Sequence, residues 1–159
     1  MAVNQDLVGR DFPPTAAYLV GREKVREFAR AVFADSPQHT DVEAARAAGF
    51  ADVVAPPTFA MVIQDQTLQQ LLAEPDSGIV LARTIHAEQR FTYTRPIVAG
   101  DELTGKLTVT GIRTMGHNAM ITSQAEITDA AGGHVVTATS VLLVGSDEAA
   151  GEPSDKGAS

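Results

Sequence analysis

The chain has 159 residues, 44% of them hydrophobic, and a formal net charge of -8. That length suits one compact domain, able to bury a core without disulfides or a structural metal. The absence of cysteine excludes disulfides, thiolate nucleophiles and Cys-ligated zinc, and the acidic balance argues against a nucleic-acid surface, which needs clustered Lys and Arg.

The start, Met1-Ala2-Val3-Asn4-Gln5-Asp6, has neither the basic nor the apolar region of a signal peptide, and no apolar run approaches the about 20 residues that span a bilayer. A cytoplasmic protein is expected, with neither nucleic acid nor membrane as partner. Pro13-Pro14 belong to an irregular lead-in to a short strand around Tyr18-Leu19-Val20. The spacing of Val25, Phe28, Ala29, Val32 and Phe33 predicts an amphipathic helix over Arg22 to Phe33, ended by Ser36-Pro37. A shorter helix is expected over Asp41 to Ala48, with Gly49 as its cap. A third runs from about Phe59 to Leu72, and its apolar residues occupy more than one stripe. It is therefore expected to be largely buried, with Gln64, Asp65, Gln69 and Gln70 on its polar side.

From Ala82 the pattern turns to strands: Ala82 to Tyr93, Glu102 to Arg113, Ala119 to Thr128 and Val135 to Val144. The short Gly-containing joins favour antiparallel hairpins, so a meander is expected. A buried helix followed by antiparallel strands is an α+β layout in which the sheet wraps the helix. Residues 1–145 form the expected domain, and the Gly-, Ser- and acid-rich stretch from Ser146 to Ser159 is expected to be a disordered tail. The edge strands of such a sheet predict a dimer.

The most informative stretch is DSPQHTDVEAARAAGFADVVAPPTF, from Asp35 to Phe59, which resembles the G-D-x-N-P-x-H signature of (R)-specific hydratases and the entry to their central helix. FTYTRPIVAGDELTG, from Phe91 to Gly105, is similar to a second segment of the same MaoC-like group. REKVREFA, from Arg22 to Ala29, together with APPTF and RPIVAGDEL, resembles the MaoC N-terminal-type subunits of heterodimeric (3R)-hydroxyacyl-ACP dehydratases. The resemblance implies a hotdog fold, an antiparallel sheet wrapped around a long central helix. It also implies a hydro-lyase of fatty-acid metabolism acting on an acyl-CoA or acyl-ACP without a metal or organic cofactor. Its partner would be a MaoC-like subunit or a second copy of the chain.

Dehydrating a 3-hydroxyacyl thioester requires a base for the proton alpha to the carbonyl, an acid for the departing hydroxyl, and N–H donors for the enolate-like oxygen. His39 stands at the histidine of the signature, Pro37 at its proline and Ser36 at its asparagine. The position of the motif's Asp falls on Ala34, and Asp35 comes one residue later. Either the local backbone lets Asp35 reach the site or this subunit keeps half of the Asp/His pair. Pro56, Pro57, Thr58 and Phe59, at the start of the third helix, are the candidate substrate-binding residues. Arg95, before Pro96, reads as an exposed strand-end arginine in preference to a contact for an acyl carrier or CoA phosphate, and His86, His117 and His134 as surface or sheet-face residues without metal-ligand spacing. Two alternatives from other classes stand beside the dehydratase: a non-catalytic acyl-chain-binding hotdog subunit, and a hotdog thioesterase using Asp65.

Overall fold

The computed structural model describes residues 2–145, so the expected tail from Ser146 lies outside the described residues. In chain order the elements are β1 (Tyr18–Leu19), α1 (Arg22–Ala31), α2 (Val42–Ala47), α3 (Ala60–Leu72), β2 (Thr84–Tyr93), β3 (Glu102–Met115), β4 (Asn118–Asp129) and β5 (His134–Val144). Single 3-10 turns at Pro37–His39 and Pro57–Phe59 precede α2 and α3.

The five strands form one antiparallel sheet in the order β1-β3-β4-β5-β2. β3, β4 and β5 make the expected meander, but β2 does not pair with β3; it crosses to the far edge and pairs with β5, Phe91 facing Ala138 and Tyr93 facing Val136. The join from Thr94 to Asp101 is not a hairpin because its backbone is engaged elsewhere. Pro96 has no N–H to offer, Ile97 accepts from Ala55 N–H at 2.9 Å, and Ala99 donates to Val53 O at 3.0 Å.

Alternation along β3, β4 and β5 puts Leu103, Leu107, Ile121, Ile127, Ala138 and Leu142 on the inner face, all buried. α3 lies on that face with Phe59, Ile63 and Leu71 at 0% exposure, each contributing about 1.5–3 kcal/mol of apolar burial. The close approach depends on Gly105 of β3, where a Cβ would sit 2.7 Å from Thr67 Cγ2 and 3.3 Å from Ile63 Cγ2.

α1 stops at Ala31, earlier than the expected Phe33. Phe33 adopts φ 57 and closes the helix in the left-handed position usually given to glycine, with Ala34 N–H on Ala29 O at 2.8 Å. Phe33 is consequently 91% exposed and leaves the apolar stripe. α2 ends as expected, Gly49 at φ 92 with its N–H on Arg46 O. On α3 the expected polar side is wrong at one position: Gln64 is 0% exposed, because the sheet curls far enough around the helix to cover it. Asp65 and Gln69 are exposed and Gln70 is half-buried.

Candidate functional site

Pro37, at the first position of its 3-10 turn, arrives with its backbone angle already set for the turn, and the turn delivers His39 inward to 7% exposure. The His39 ring is fixed by Val54: Nδ1 lies 2.6 Å from Val54 O. A carbonyl only accepts, so Nδ1 carries the proton, and in the neutral ring Nε2 is left with the lone pair. Val54 N–H returns a bond to Gln38 O at 2.9 Å.

The strip Val53 to Ala55 is thus held between the His39 turn and the Ile97–Ala99 segment. A further clamp ties it to α1. Arg22 grips Asp52 with Nε at 2.9 Å from Oδ1 and Nη2 at 2.6 Å from Oδ2. The Arg22 guanidinium holds the Asp52 carboxyl down at about 2.

His39 borders a cleft of about 370 Å³ whose walls include Phe50, Pro57, Tyr93, Arg95 and Ile97. None of its lining residues is a carboxylate. Tyr93 closes one side, its hydroxyl donating to Pro57 O at 2.5 Å while Ala60 N–H reaches the same hydroxyl. Burial pushes the Tyr93 phenol up to about 12, so it is a neutral hydrogen-bonding group throughout the physiological range. Arg95 is half-buried rather than a free strand end: it pairs with Asp101 at 2.8 Å and Asp129 at 3.2 Å. Those carboxylates raise its pKa, Asp101 first. Their effect is to clamp the loop that carries Ile97, since Asp101 also accepts from Val98 N–H at 2.9 Å.

The expected site residues separate. His39 and Pro57 border the cleft; Pro56 is buried and supplies the carbonyl that accepts from Phe59 N–H at 2.8 Å. Phe59 is a core residue, edge-on to Phe28 with ring centroids 5.3 Å apart. Its N–H is therefore already engaged. Pro56 and Pro57 have none, which makes Thr58 the first residue after Ala55 able to offer a free backbone donor. Asp35 is exposed and absent from the cleft wall, because Phe33 and Ala34 are consumed in closing α1. Asp65 faces away on the exposed side of α3. His86 is exposed on Gln89, and His134 is half-buried between Thr94 and Thr137.

Tyr93, Phe50 and the Arg95 clamp were not legible as site residues. For Tyr93 a signal existed: it alternates with Phe91 on one face of β2, two residues before Arg95-Pro96.

A family model of the FAS1-like dehydratase domain region matches residues 6–138. A UPF0336 protein of Clavibacter michiganensis subsp. michiganensis is 62% identical over 149 residues, covering 94% of this chain and 100% of its own length. Among solved structures, a MaoC-like dehydratase superposes with a TM-score of 0.83 at 35% identity over 91% of this chain; the chain spans 44% of that longer one. The C-terminally truncated HadBC (3R-hydroxyacyl-ACP dehydratase) complex from Mycobacterium tuberculosis gives a TM-score of 0.79 at 30% identity, covering 87% of this chain and 97% of that one. With the sheet wrapped around α3 and His39 at the cleft, these likenesses establish that the chain belongs to the FAS1-like dehydratase-region family, on the MaoC-like hotdog fold.

Proposed function

We propose that the chain is one subunit of a cytoplasmic dehydratase that interconverts (3R)-hydroxyacyl and trans-2-enoyl thioesters of CoA or ACP, working beside a MaoC-like partner that carries the complete Asp/His pair. The observation that carries this reading is a cleft bordered by an oriented imidazole and by no carboxylate. The chemistry needs two proton-transfer groups: one to take the proton alpha to the carbonyl, one to protonate the hydroxyl that leaves as water. His39 Nε2 can serve as one. The second has to come from outside this chain's cleft, since Asp35 is exposed away from it. The likeness to a structure named as a 3R-hydroxyacyl-ACP dehydratase complex supports the same reading.

The edge of the sheet offers a place for the partner. Among the described residues no strand pairs with the outer side of β2. Leu81 just before the strand and Ile85 within it are 68% and 63% exposed, and an unpaired edge is a template on which another chain can pair.

A second reading is specifically favoured by Ala34 at the motif's Asp position: the subunit binds the acyl chain and takes no part in proton transfer. The two separate on one experiment, hydration of a trans-2-enoyl-CoA followed by loss of enoyl absorbance, using this chain mixed with its partner. In the first reading His39→Ala lowers kcat by about 10²-fold and Asp35→Ala leaves it unchanged. Indifference to His39→Ala assigns the chain to acyl binding alone.

A further inference from the structure

The two segments that meet at the His39 ring are held by one helix. α1 is seated in the core through Val25 and Ala29, both at 0% exposure. Beside that buried stripe it carries two arginines, Arg22 and Arg26, four apart and so on one face. Arg26 Nε donates to Thr40 O at 2.8 Å, the carbonyl directly after His39. Arg22 holds the Asp52 carboxylate through both Nε and Nη2, two residues before Val54. The same carboxylate accepts from Val53 N–H at 2.8 Å. α1 therefore grips, on a single rigid body, the segment that donates and the segment that accepts in the bond from His39 Nδ1 to Val54 O.

The strip between Asp52 and Pro56 leaves little freedom for that acceptor. A trans peptide group is planar, so its C=O and N–H point in opposite directions. Val53 O accepts from Ala99 N–H at 3.0 Å, and Val54 N–H in the same plane donates to Gln38 O at 2.9 Å. In the next plane Val54 O faces His39, and Ala55 N–H donates to Ile97 O at 2.9 Å. Toward its N-terminal end the strip is fixed by the Arg22 fork, a bidentate geometry that lysine does not reproduce.

The bond to Val54 matters because of which nitrogen it leaves bare. An imidazole loose in water prefers its proton on Nε2, whereas here Val54 O draws it to Nδ1 and the lone pair stays on Nε2. We infer that Arg22 and Arg26 are positioning residues, which keep His39 in the Nδ1–H form by holding the Thr40 and Asp52 sides of the contact in register. The tautomer follows from the geometry alone; its effect on turnover rests on the reading of His39 as a proton-transfer group given above.

The test is a long-range proton–nitrogen correlation spectrum of the nitrogen-15-labelled full-length chain at alkaline pH, comparing wild type with Arg22→Gln/Arg26→Gln. In the wild type His39 carries its proton on Nδ1. In the double variant most of the ring population moves to Nε2–H, while the signals of His86 and His134, which lie on other partners, stay in place and show that the fold persists. Mixed with a MaoC-like partner, the variant then hydrates a trans-2-enoyl-CoA with kcat lowered about fivefold, in proportion to the fraction of His39 still protonated on Nδ1, and KM unchanged. Should the double variant not fold, Arg22→Lys, which keeps the charge and loses the fork, carries the same comparison. A folded variant in which His39 keeps its proton wholly on Nδ1 overturns the inference and leaves the acyl-thioester reading standing. A tautomer shift with kcat unchanged upholds the positioning role and contradicts proton transfer by His39.

Discussion

At the residue scale, the site depends on side chains that are oriented by backbone carbonyls. Val54 O sets the tautomer of His39, and Pro57 O sets the position of the Tyr93 hydroxyl. Tyr93 thereby ties β2 to the turn from which α3 starts. Tyr93→Phe takes the hydroxyl away from both Pro57 O and Ala60 N–H, so the unfolding free energy is expected to fall by about 1 kcal/mol or more; a denaturant titration reads this. The same residue carries a pH signature. Its folded pKa, about 12, lies above the ordinary 10.0, so the unfolded chain ionises first. The stability it contributes is complete below pH 10 and is lost between there and about 12. Phenolate absorbance should show a tyrosine titrating near 12 in the wild type, and that step should vanish in Tyr93→Phe. A step that persists in the variant would place the buried phenol elsewhere.

At the scale of elements, the segment from Thr40 to Val54 is what brings Val54 O to the His39 ring at the cleft, and Asp52 is its anchor. The carboxyl receives Arg22 from α1 and the Val53 N–H at 2.8 Å. Its folded pKa of about 2 lies below the ordinary 3.8. The contribution of the pair is therefore present above that ordinary value and lost as the pH falls toward 2. Asp52→Asn is expected to melt below the wild type at neutral pH, with the gap closing by about pH 2. A gap of constant size would mean that the ion pair is not what holds the overhang.

The elements differ in how far they could be read from the sequence, for physical reasons. The strands β3, β4 and β5 alternate cleanly and are joined by glycine turns, so periodicity alone located them. The place of β2 was not legible, because a short glycine-containing join looks the same whether its backbone completes a hairpin or, as here, donates from Ala99 N–H to Val53 and accepts at Ile97 O from Ala55. α1 ended early because Phe33 takes a conformation that no side-chain pattern encodes. Gln64 looked solvent-facing because hydropathy assigns an amide outward, and only the curl of the sheet shows it enclosed. Within the site, motif spacing located His39. It also raised the doubt about Asp35, but the outward placement of that side chain depends on how α1 closes.

At the scale of the whole molecule, the cleft supplies an imidazole, a neutral phenol and an ion-paired arginine, and its walls hold no carboxylate. On the reading proposed above, a second subunit would bring one across the unpaired edge of β2, whose Tyr93 end borders the cleft. Hydration of crotonyl-CoA, followed by loss of enoyl absorbance, tests this most directly when run on the purified chain alone and on the chain mixed with a MaoC-like partner. The expected result is no activity above background alone and turnover in the mixture. Hydration by the chain alone at the rate of the mixture would contradict the need for a partner and show that a complete proton-transfer pair lies within this chain.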